Sequence, residues 1–568
     1  MKKIALLCML CCVAQVALAI EAGLTYRVTS KKFPTKSLIV RNSAREAGSD
    51  IVLWTETDVP SQQWTAQTGT TSSMVLQNVY TELYAMPKSR SAGGTLVTGS
   101  TKASARLVFE AVEGDEGVVR IKPSASTVYL TVTTGEDGEQ PILAKADDSN
   151  TGQQWVLTAV EPKSVFTPTM RDEMVNTYVK QKLKTKSATQ RTFGGGGWGE
   201  AEQLEVLLDA YETTGNKQYL NQAKYVYNYF SANVGSDWCR LVYTDNYKWY
   251  GHDFNDDVMW MIIAVARLGY ISGSKIYSNA AKQNFDKILD RGYIPFAGMV
   301  RWAESSGDRY GTNACVNGPT EVAACYLGMG GCGEEYFEKA RDIYAAQRKY
   351  LTNNMATGKV WDNVVWDPET ETVKSKNEWA STYNQGTMMG AACLLYNHYG
   401  EASYLTDAQK IMSYTVQNMC DTYSVVKVCQ DESNSDLCGF KGILVRYVRL
   451  LVTDLEQSDY KAWLIGNAMH AYCNRNAVGL TGTGWLTKAT EESTANSFGC
   501  STAASVAANV PFSEEEMGTD NSTAPATTTA NSATTRFYNL AGMPLNTPPR
   551  HGPYIEMHGA SSRVIINR

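Results

Sequence analysis

Histidine is scarce in this chain of 568 residues, with five in all: His252, His398, His470, His551 and His558. No His-Glu-x-x-His, Gly-x-Ser-x-Gly or phosphate-binding-loop sequence occurs. Histidine-based zinc hydrolysis, serine-hydrolase chemistry and nucleotide binding therefore lack their usual residues. Beyond residue 19 there is no Cys-x-x-Cys pair, which removes the common cysteine zinc site. Basic charge is not in excess: 52 Lys and Arg stand against 58 Asp and Glu, so the net charge is −6 and nothing suggests a nucleic-acid partner. The longest internal apolar run, from Val258 to Ile271, contains Arg267 and falls short of the ~20 residues a membrane span needs. By elimination, carboxylates become the favoured catalytic groups.

Apolar residues make up 43% of the chain, enough for sizeable cores and incompatible with a wholly disordered protein. The aromatics are biased, with 13 Trp and 32 Tyr against 13 Phe, so rings carrying a polar handle dominate. Such rings suit sugar-binding surfaces, and they also serve cores and interfaces. Met1-Lys2-Lys3 precedes an apolar run from Ile4 to Ala19 that ends in Ala17-Leu18-Ala19, the pattern of a cleaved secretory signal over residues 1–19. Cys8, Cys11 and Cys12 lie within it, and their preceding residues are not the small ones a lipidated cysteine wants. A secreted or cell-surface protein is expected. Ten cysteines remain, all between Cys239 and Cys500. Export permits disulfides, with Cys429 and Cys438 able to close a small loop, and buried thiols are the alternative.

Residues 21–160 carry a threefold repeat. Gln62-Gln63-Trp64 and Gln153-Gln154-Trp155 are near-copies, and Phe109 lies between them, 45 residues after Trp64 and 46 before Trp155. Each aromatic follows an apolar position, Leu53, Val97 or Leu143, by 11 or 12 residues. Short alternating segments such as Ser37–Val40 and Val128–Val132 read as strands. One supersecondary unit repeated at a fixed period explains the pattern. It resembles the β-trefoil of ricin-type lectins, whose Gln-x-Trp motif recurs once per lobe. The resemblance implies an all-β domain in which the Trp belongs to the core; sugar binding and a spacer role both stay open. Trp54 and Tyr84 are the candidate sugar-facing rings.

From residue 163 to 510 the period becomes helical. Ala201, Leu204, Leu207, Leu208 and Tyr211 form one stripe, and similar stripes follow over 216–232, 253–269, 275–289, 336–351, 379–399 and 405–418. Weaker patterns at 170–183, 319–328, 440–455, 458–475 and 494–508 bring the expected number of helices to about twelve, an all-α domain. Asp253, Asp256 and Asp257 open one of these helices. Asp253 fits a helix cap, whereas Asp256 and Asp257 adjoin each other and run straight into Val258-Met259-Trp260. Two carboxyls at a helix end can reach one pocket ~5–5.5 Å apart, the spacing of a retaining glycosidase. Forcing two anions together also raises one pKa, as a general acid needs.

The segment Gly194–Glu202 with Trp198, the Asn317-Gly318-Pro319 loop with Pro319 starting a helix, the Tyr383-Asn384-Gln385-Gly386 loop and Phe440-Lys441-Gly442 accompany the Asp pair. Together they closely resemble glycoside hydrolase family 76, the α-1,6-mannanases. The resemblance implies an (α/α)6 toroid following the trefoil, and retaining endo-hydrolysis of an α-1,6-mannan backbone. It further implies Asp256 as nucleophile, Asp257 as acid/base, no metal or other cofactor, and sugar contacts from Trp198, Asn317, Tyr383, Asn384 and Gln385. Fungal relatives act as transglycosidases, so transfer to another acceptor stays open, as does an inactive toroid that only binds glycan. Residues 511–535, rich in Ser, Thr and Ala, read as a linker. The last segment, 536–568, with Tyr538-Asn539 and Gly552-Pro553-Tyr554-Ile555, resembles the C-terminal sorting segments of exported Bacteroidetes proteins.

Overall fold

The structure is a computed structural model that describes residues 20–194, 197–235, 253–304, 310–429 and 436–519, with strand segments at 535–539, 544–545, 552–558 and 561–567. The signal segment 1–19, most of the Ser/Thr-rich linker, and Tyr250, Gly251 and His252 beside the Asp pair lie outside the described residues. The chain divides into two compact units, Met1–Ser164 and Val165–Arg568.

The first unit is built from twelve antiparallel strands in three runs of four. The strands are β1 (Thr25–Ser30), β2 (Lys36–Val40), β3 (Ile51–Thr55) and β4 (Gln63–Thr70); β5 (Ser73–Asn78), β6 (Tyr84–Pro87), β7 (Leu96–Gly99) and β8 (Leu107–Ala111); and β9 (Val118–Pro123), β10 (Val128–Thr131), β11 (Ile142–Lys145) and β12 (Gln154–Ala159). In each run the middle two strands form a hairpin. The outer strands pair in a closed circuit, β1–β4–β5–β8–β9–β12 and back to β1. Closure leaves those six strands without a free edge and encloses Val28, Leu53, Trp64, Leu76, Leu107, Ile121 and Trp155.

The repeat motif has a structural function in both places where it occurs. Trp64 and Trp155 are fully buried, and each indole N–H donates at 3.1 Å to a hairpin-strand carbonyl, of Leu38 and Leu130 respectively. Gln62 donates to the carbonyl of Thr55 and accepts from the amide of Thr57; Gln153 donates to Lys145 and accepts from Asp147. Each Gln thereby ties the end of a hairpin to the strand that follows. Phe109 fills the same core position without an N–H. Trp64→Phe should therefore keep the core filled but strand the Leu38 carbonyl. A loss of about 1–3 kcal/mol is expected, measurable by urea denaturation.

The second unit contains twelve long helices among the described residues. They are α1 (Pro168–Lys182), α2 (Gly197–Thr214), α3 (Lys217–Val234), α4 (Asn255–Ser272), α5 (Lys275–Gly292), α6 (Ala314–Met329), α7 (Glu335–Tyr350), α8 (Thr382–Tyr399), α9 (Ala402–Met419), α10 (Phe440–Thr453), α11 (Asp459–Cys473) and α12 (Ser497–Ala508), with a short α13 (Glu514–Thr519) after them. Even-numbered helices pack on one another in sequence, and α12 returns to α2, closing an inner ring. Each odd-numbered helix backs onto a ring member, so the unit is an (α/α)6 toroid. Burial follows position. Ring helices are enclosed on every side, as over Ala314–Leu327 of α6 and Phe440–Val452 of α10. Outer helices bury one stripe, such as Tyr219, Leu220, Ala223, Val226, Tyr227 and Phe230 of α3.

Two expected helix starts move. The helix placed at Pro319 begins five residues earlier, at Ala314, with Pro319 inside it. Proline lacks only its own amide, so this early in a helix it leaves one carbonyl, that of Cys315, without an intrahelical partner. The helix expected from Trp379 begins at Thr382, because Ser381 caps it through Oγ accepting from the Asn384 amide. Phe254, not Asp253, is the N-cap of α4. Glycines let the ring close. A Cβ on Gly386 would lie 2.8 Å from the Leu444 backbone, and one on Gly390 would lie 2.2 Å from the Tyr447 ring. Cys315, Cys325, Cys393 and Cys500 are buried free thiols, the second of the two readings of the cysteines.

A buried ion network spans the ring. Glu202, Glu205, Asp209 and Glu212 share one face of α2 and meet Arg267 of α4 with Arg446 and Arg449 of α10. Short strands decorate the ring: β13 (Lys184–Ser187) with β14 (Gln190–Thr192), β15 (Tyr293–Ile294) with β16 (Met299–Val300), and β17 (Gly311–Asn313), β18 (Asn363–Asp367) and β19 (Thr372–Asn377) in one sheet. In the tail, β20 (Thr535–Asn539), β21 (Pro544–Leu545), β22 (Gly552–His558) and β23 (Ser561–Asn567) form a four-stranded sheet in the order β21-β20-β22-β23.

Candidate active site

Six ring helices related by repeated helical hairpins run in the same sense, so their first turns gather at one end. Trp198, Asp256, Cys315, Tyr383 and Phe498 are each the second residue of α2, α4, α6, α8 and α12, and Phe440 is the first of α10. These side chains meet. Trp198 lies 4.8 Å from Phe498, 5.8 Å from Trp260, 6.0 Å from Phe440 and 6.5 Å from Tyr383, measured between ring centres. Tyr383 stacks on Phe440 at 3.7 Å. The result is an aromatic wall beside a carboxylate pair, with helix N-termini directed toward it.

The entry to α4 is firmly held. Asn255 accepts from the Arg291 guanidinium at 2.7 Å and donates to the Arg301 carbonyl and to Glu304, both at 2.9 Å. Its amide donates to the Trp302 carbonyl, and the amide of Glu304 donates to the Asp253 carbonyl. Trp302 packs against Phe254 at 4.7 Å. Asp256 and Asp257 follow in the first turn of the helix, both partly open to solvent.

Asp256 collects three donors. The Trp302 indole N–H reaches its Oδ2 at 3.0 Å, the Cys315 thiol reaches the same oxygen at 3.2 Å, and the amide of Asp257 reaches Oδ1 at 3.0 Å. Burial pushes Asp256 up to about 7, helped by the neighbouring Asp257 charge and opposed by the thiol, the indole and the amide. Burial raises Asp257 to about 7 as well, with the negative Asp436 adding to the effect. Two such carboxyls titrate as a pair, holding about one proton between them near neutrality. One can then act as a base or nucleophile while the other carries a proton. Burial also drives the Cys315 thiol and the Tyr383 phenol well above their ordinary values, so both stay protonated.

The remaining expected site residues separate into two groups. Trp198 and Tyr383 stand in the aromatic wall. Asn384 is fully buried, with its amide against the Asp362 carboxyl, which Asn377 also bonds at 3.1 Å. Asn317 and Gln385 belong instead to the framework. Asn317 clamps β16, accepting from the Val300 amide at 2.8 Å and donating to the Val300 and Asn313 carbonyls. Gln385 accepts from the Val360 amide and donates to the Gly358 carbonyl. Trp302, Cys315, Asp362 and Phe498 were not singled out from sequence.

Comparison with known proteins now bears on the chemistry. Residues 165–526, well over half of the chain, match Glycosyl hydrolase family 76. The chain belongs to that family. Glycosidase activity comes with membership, and the (α/α)6 ring is its fold. Among solved structures, an inactive variant of the α-1,6-mannanase GH76A of Salegentibacter sp. HEL1_6, with two consecutive aspartates replaced by alanine, is bound to α-1,6-mannotetrose. It is 25% identical, covers 60% of this chain and 98% of its own, and gives a TM-score of 0.51. The asparagine variant of the same enzyme, bound to α-1,6-mannotriose, is 26% identical over the same shares, with a TM-score of 0.50. A family 76 mannosidase of Bacteroides thetaiotaomicron, Bt3792, shares the fold at 18% identity, covering 62% of this chain and 99% of its own with a TM-score of 0.52. No curated protein matches.

Proposed function

We propose that the protein is an exported endo-α-1,6-mannanase that hydrolyses its substrate with retention. The observation that carries this reading is the adjacent Asp256 and Asp257 at the first turn of a ring helix, facing an aromatic wall. Asp256, bonded by three donors, attacks the anomeric carbon as Asp257 protonates the departing sugar oxygen. A water, activated by Asp257, then releases the β-linked intermediate. Trp198 and Tyr383 offer ring faces to the sugars, and Asn384, next to Tyr383, is a further candidate contact. The related Salegentibacter mannanase, with α-1,6-mannooligosaccharides bound, supports the same linkage here. The test is incubation with debranched α-1,6-mannan and, separately, other α-glycans. Oligosaccharides released from the first with an initially α anomeric product support the reading. Longer oligosaccharides formed at the expense of reducing ends would make it a transglycosidase, and no product from any glycan would make it a binding protein.

The N-terminal unit we read as a ricin-type β-trefoil that targets the enzyme to insoluble glycan. The closed circuit of six strands with three hairpins and the twice-repeated Gln and Trp bonds support this. Export rests on residues 1–19 and surface sorting on residues 536–568, both as sequence patterns. A chain beginning at residue 165 should cleave soluble oligomannosides at the full-length rate. It should cleave insoluble mannan several-fold more slowly, because a second tethered site raises the local enzyme concentration. Equal rates on both substrates would remove the targeting role.

A further inference from the structure

Two of the three donors to Asp256 come from outside its own helix. Trp302 stands in the segment that pairs with the entry to α4, and Cys315 is the second residue of α6. Both aim at a single atom, Oδ2. We propose that Trp302 and Cys315 are positioning residues that fix which member of the aspartate pair bears the charge, holding Asp256 as the carboxylate and leaving the proton to Asp257. The inference rests on the retaining reading above and deepens it.

The thiol is an apt donor here. At 4% exposure and beside a carboxylate it keeps its proton, and it has a small, apolar body where a hydroxyl would ask for further partners. Among the described residues, the titratable groups that face Asp256 are acids, a thiol and a phenol. Asp257 adjoins it on α4, Cys315 faces it from α6, and Tyr383 faces it from α8. Asp362 stands behind Cys315 and Tyr383, and Asp436, ahead of α10, faces Asp257. The ring helices α2 and α12 contribute Trp198 and Phe498, which do not titrate. Two directed hydrogen bonds onto Oδ2 favour the charged form of Asp256. A hydrogen bond to a charged group is worth enough to move an equilibrium about tenfold or more.

The test compares Cys315→Ser, Cys315→Ala and Trp302→Phe. The pH profile of kcat/KM on an α-1,6-mannooligosaccharide should keep its acidic limb in the serine variant, which still donates. In Cys315→Ala and Trp302→Phe the limb should move up by about one pH unit, with kcat about tenfold lower at pH 6 and KM little changed. A second reading needs no turnover. The S–H Raman band of Cys315, isolated by subtracting the Cys315→Ala spectrum, should shift as Asp256 titrates and should lose that pH response in Asp256→Asn. Identical profiles for the serine and alanine variants, or a band indifferent to pH, overturn the inference. Full turnover in Asp256→Asn overturns the retaining reading instead, and the Raman band still decides whether the thiol bonds that carboxylate.

Discussion

Replacement of Asp256 by Asn should reduce mannan hydrolysis to background, and replacement of Asp257 by Asn should reduce it by about 10²–10⁴-fold. Neither change should unfold the protein, because each keeps the side-chain volume and removes a charge whose ionisation partial burial already opposes. Azide separates the roles when the substrate is an α-linked mannoside with a good leaving group. In Asp257→Asn the nucleophile still forms a β-linked intermediate, and azide enters from the opposite face to give an α-azide. In Asp256→Asn azide itself takes the place of the nucleophile and gives a β-azide. Swapped products would reverse the assignment. Wild-type activity in either variant would remove that residue from the mechanism.

Periodicity reaches as far as an all-α domain of about twelve helices, and the toroid comes from the resemblance to family 76; a closed ring imposes period on its helices. The twelve stripes and the six hairpins correspond, and the outer helices show the cleanest signal, having one face in water. Ring helices are apolar all round, so their ends are hard to read. The sequence therefore marks the start of α6 only at Pro319 and that of α8 only at Trp379. The consequence extends to the site. Once the helices begin at Ala314 and Thr382, Cys315 and Tyr383 fall at the same second position as Trp198, Asp256 and Phe498. With the starts misplaced, the Asn-Gly-Pro and Tyr-Asn-Gln-Gly segments drew attention to their amides. Asn317 and Gln385 spend those amides on backbone groups, and the ring requires Gly386 for its closeness to α10. Trp302 had no local signal, since it lies 46 residues from the oxygen it bonds. Asp362 likewise reaches the site only through the pairing of β17 with β18.

The second large effect concerns the ion network that holds α2 to α4 and α10. Arg446 donates to Glu202 at 2.6 Å and to Asp209 at 3.0 Å, and approaches Glu205 at 3.4 Å, with all four residues buried. Four acids share three arginines, and Arg449 is shared further with Asn509. Arg446→Met would leave the acids short of one more cation in a site water does not reach. The expected loss is about 3–5 kcal/mol, or a fall in Tm of about 4–7 °C for a unit of this size. The loss should depend on pH. Burial lifts Glu202 to about 7 from its ordinary 4.5 against the pull of Arg446. Its folded value therefore exceeds its unfolded one, so the folded state binds the extra proton between those values and stability falls as pH rises through that window. The arginine should consequently matter more at pH 8, where the acids are charged, than at pH 5.5, where Glu202 can accept a proton. Glu202→Gln should flatten the wild-type dependence over the same range, because the amide still accepts from Arg446 and has no charge to pay for. Combining Arg446→Met with Asp209→Asn should recover part of the loss, since the two residues are in contact and their effects will not add. Thermal melts of the four proteins at both pH values check these expectations. A loss below 1 kcal/mol that is the same at pH 5.5 and 8 would mean that the network contributes shape to the ring and not charge balance.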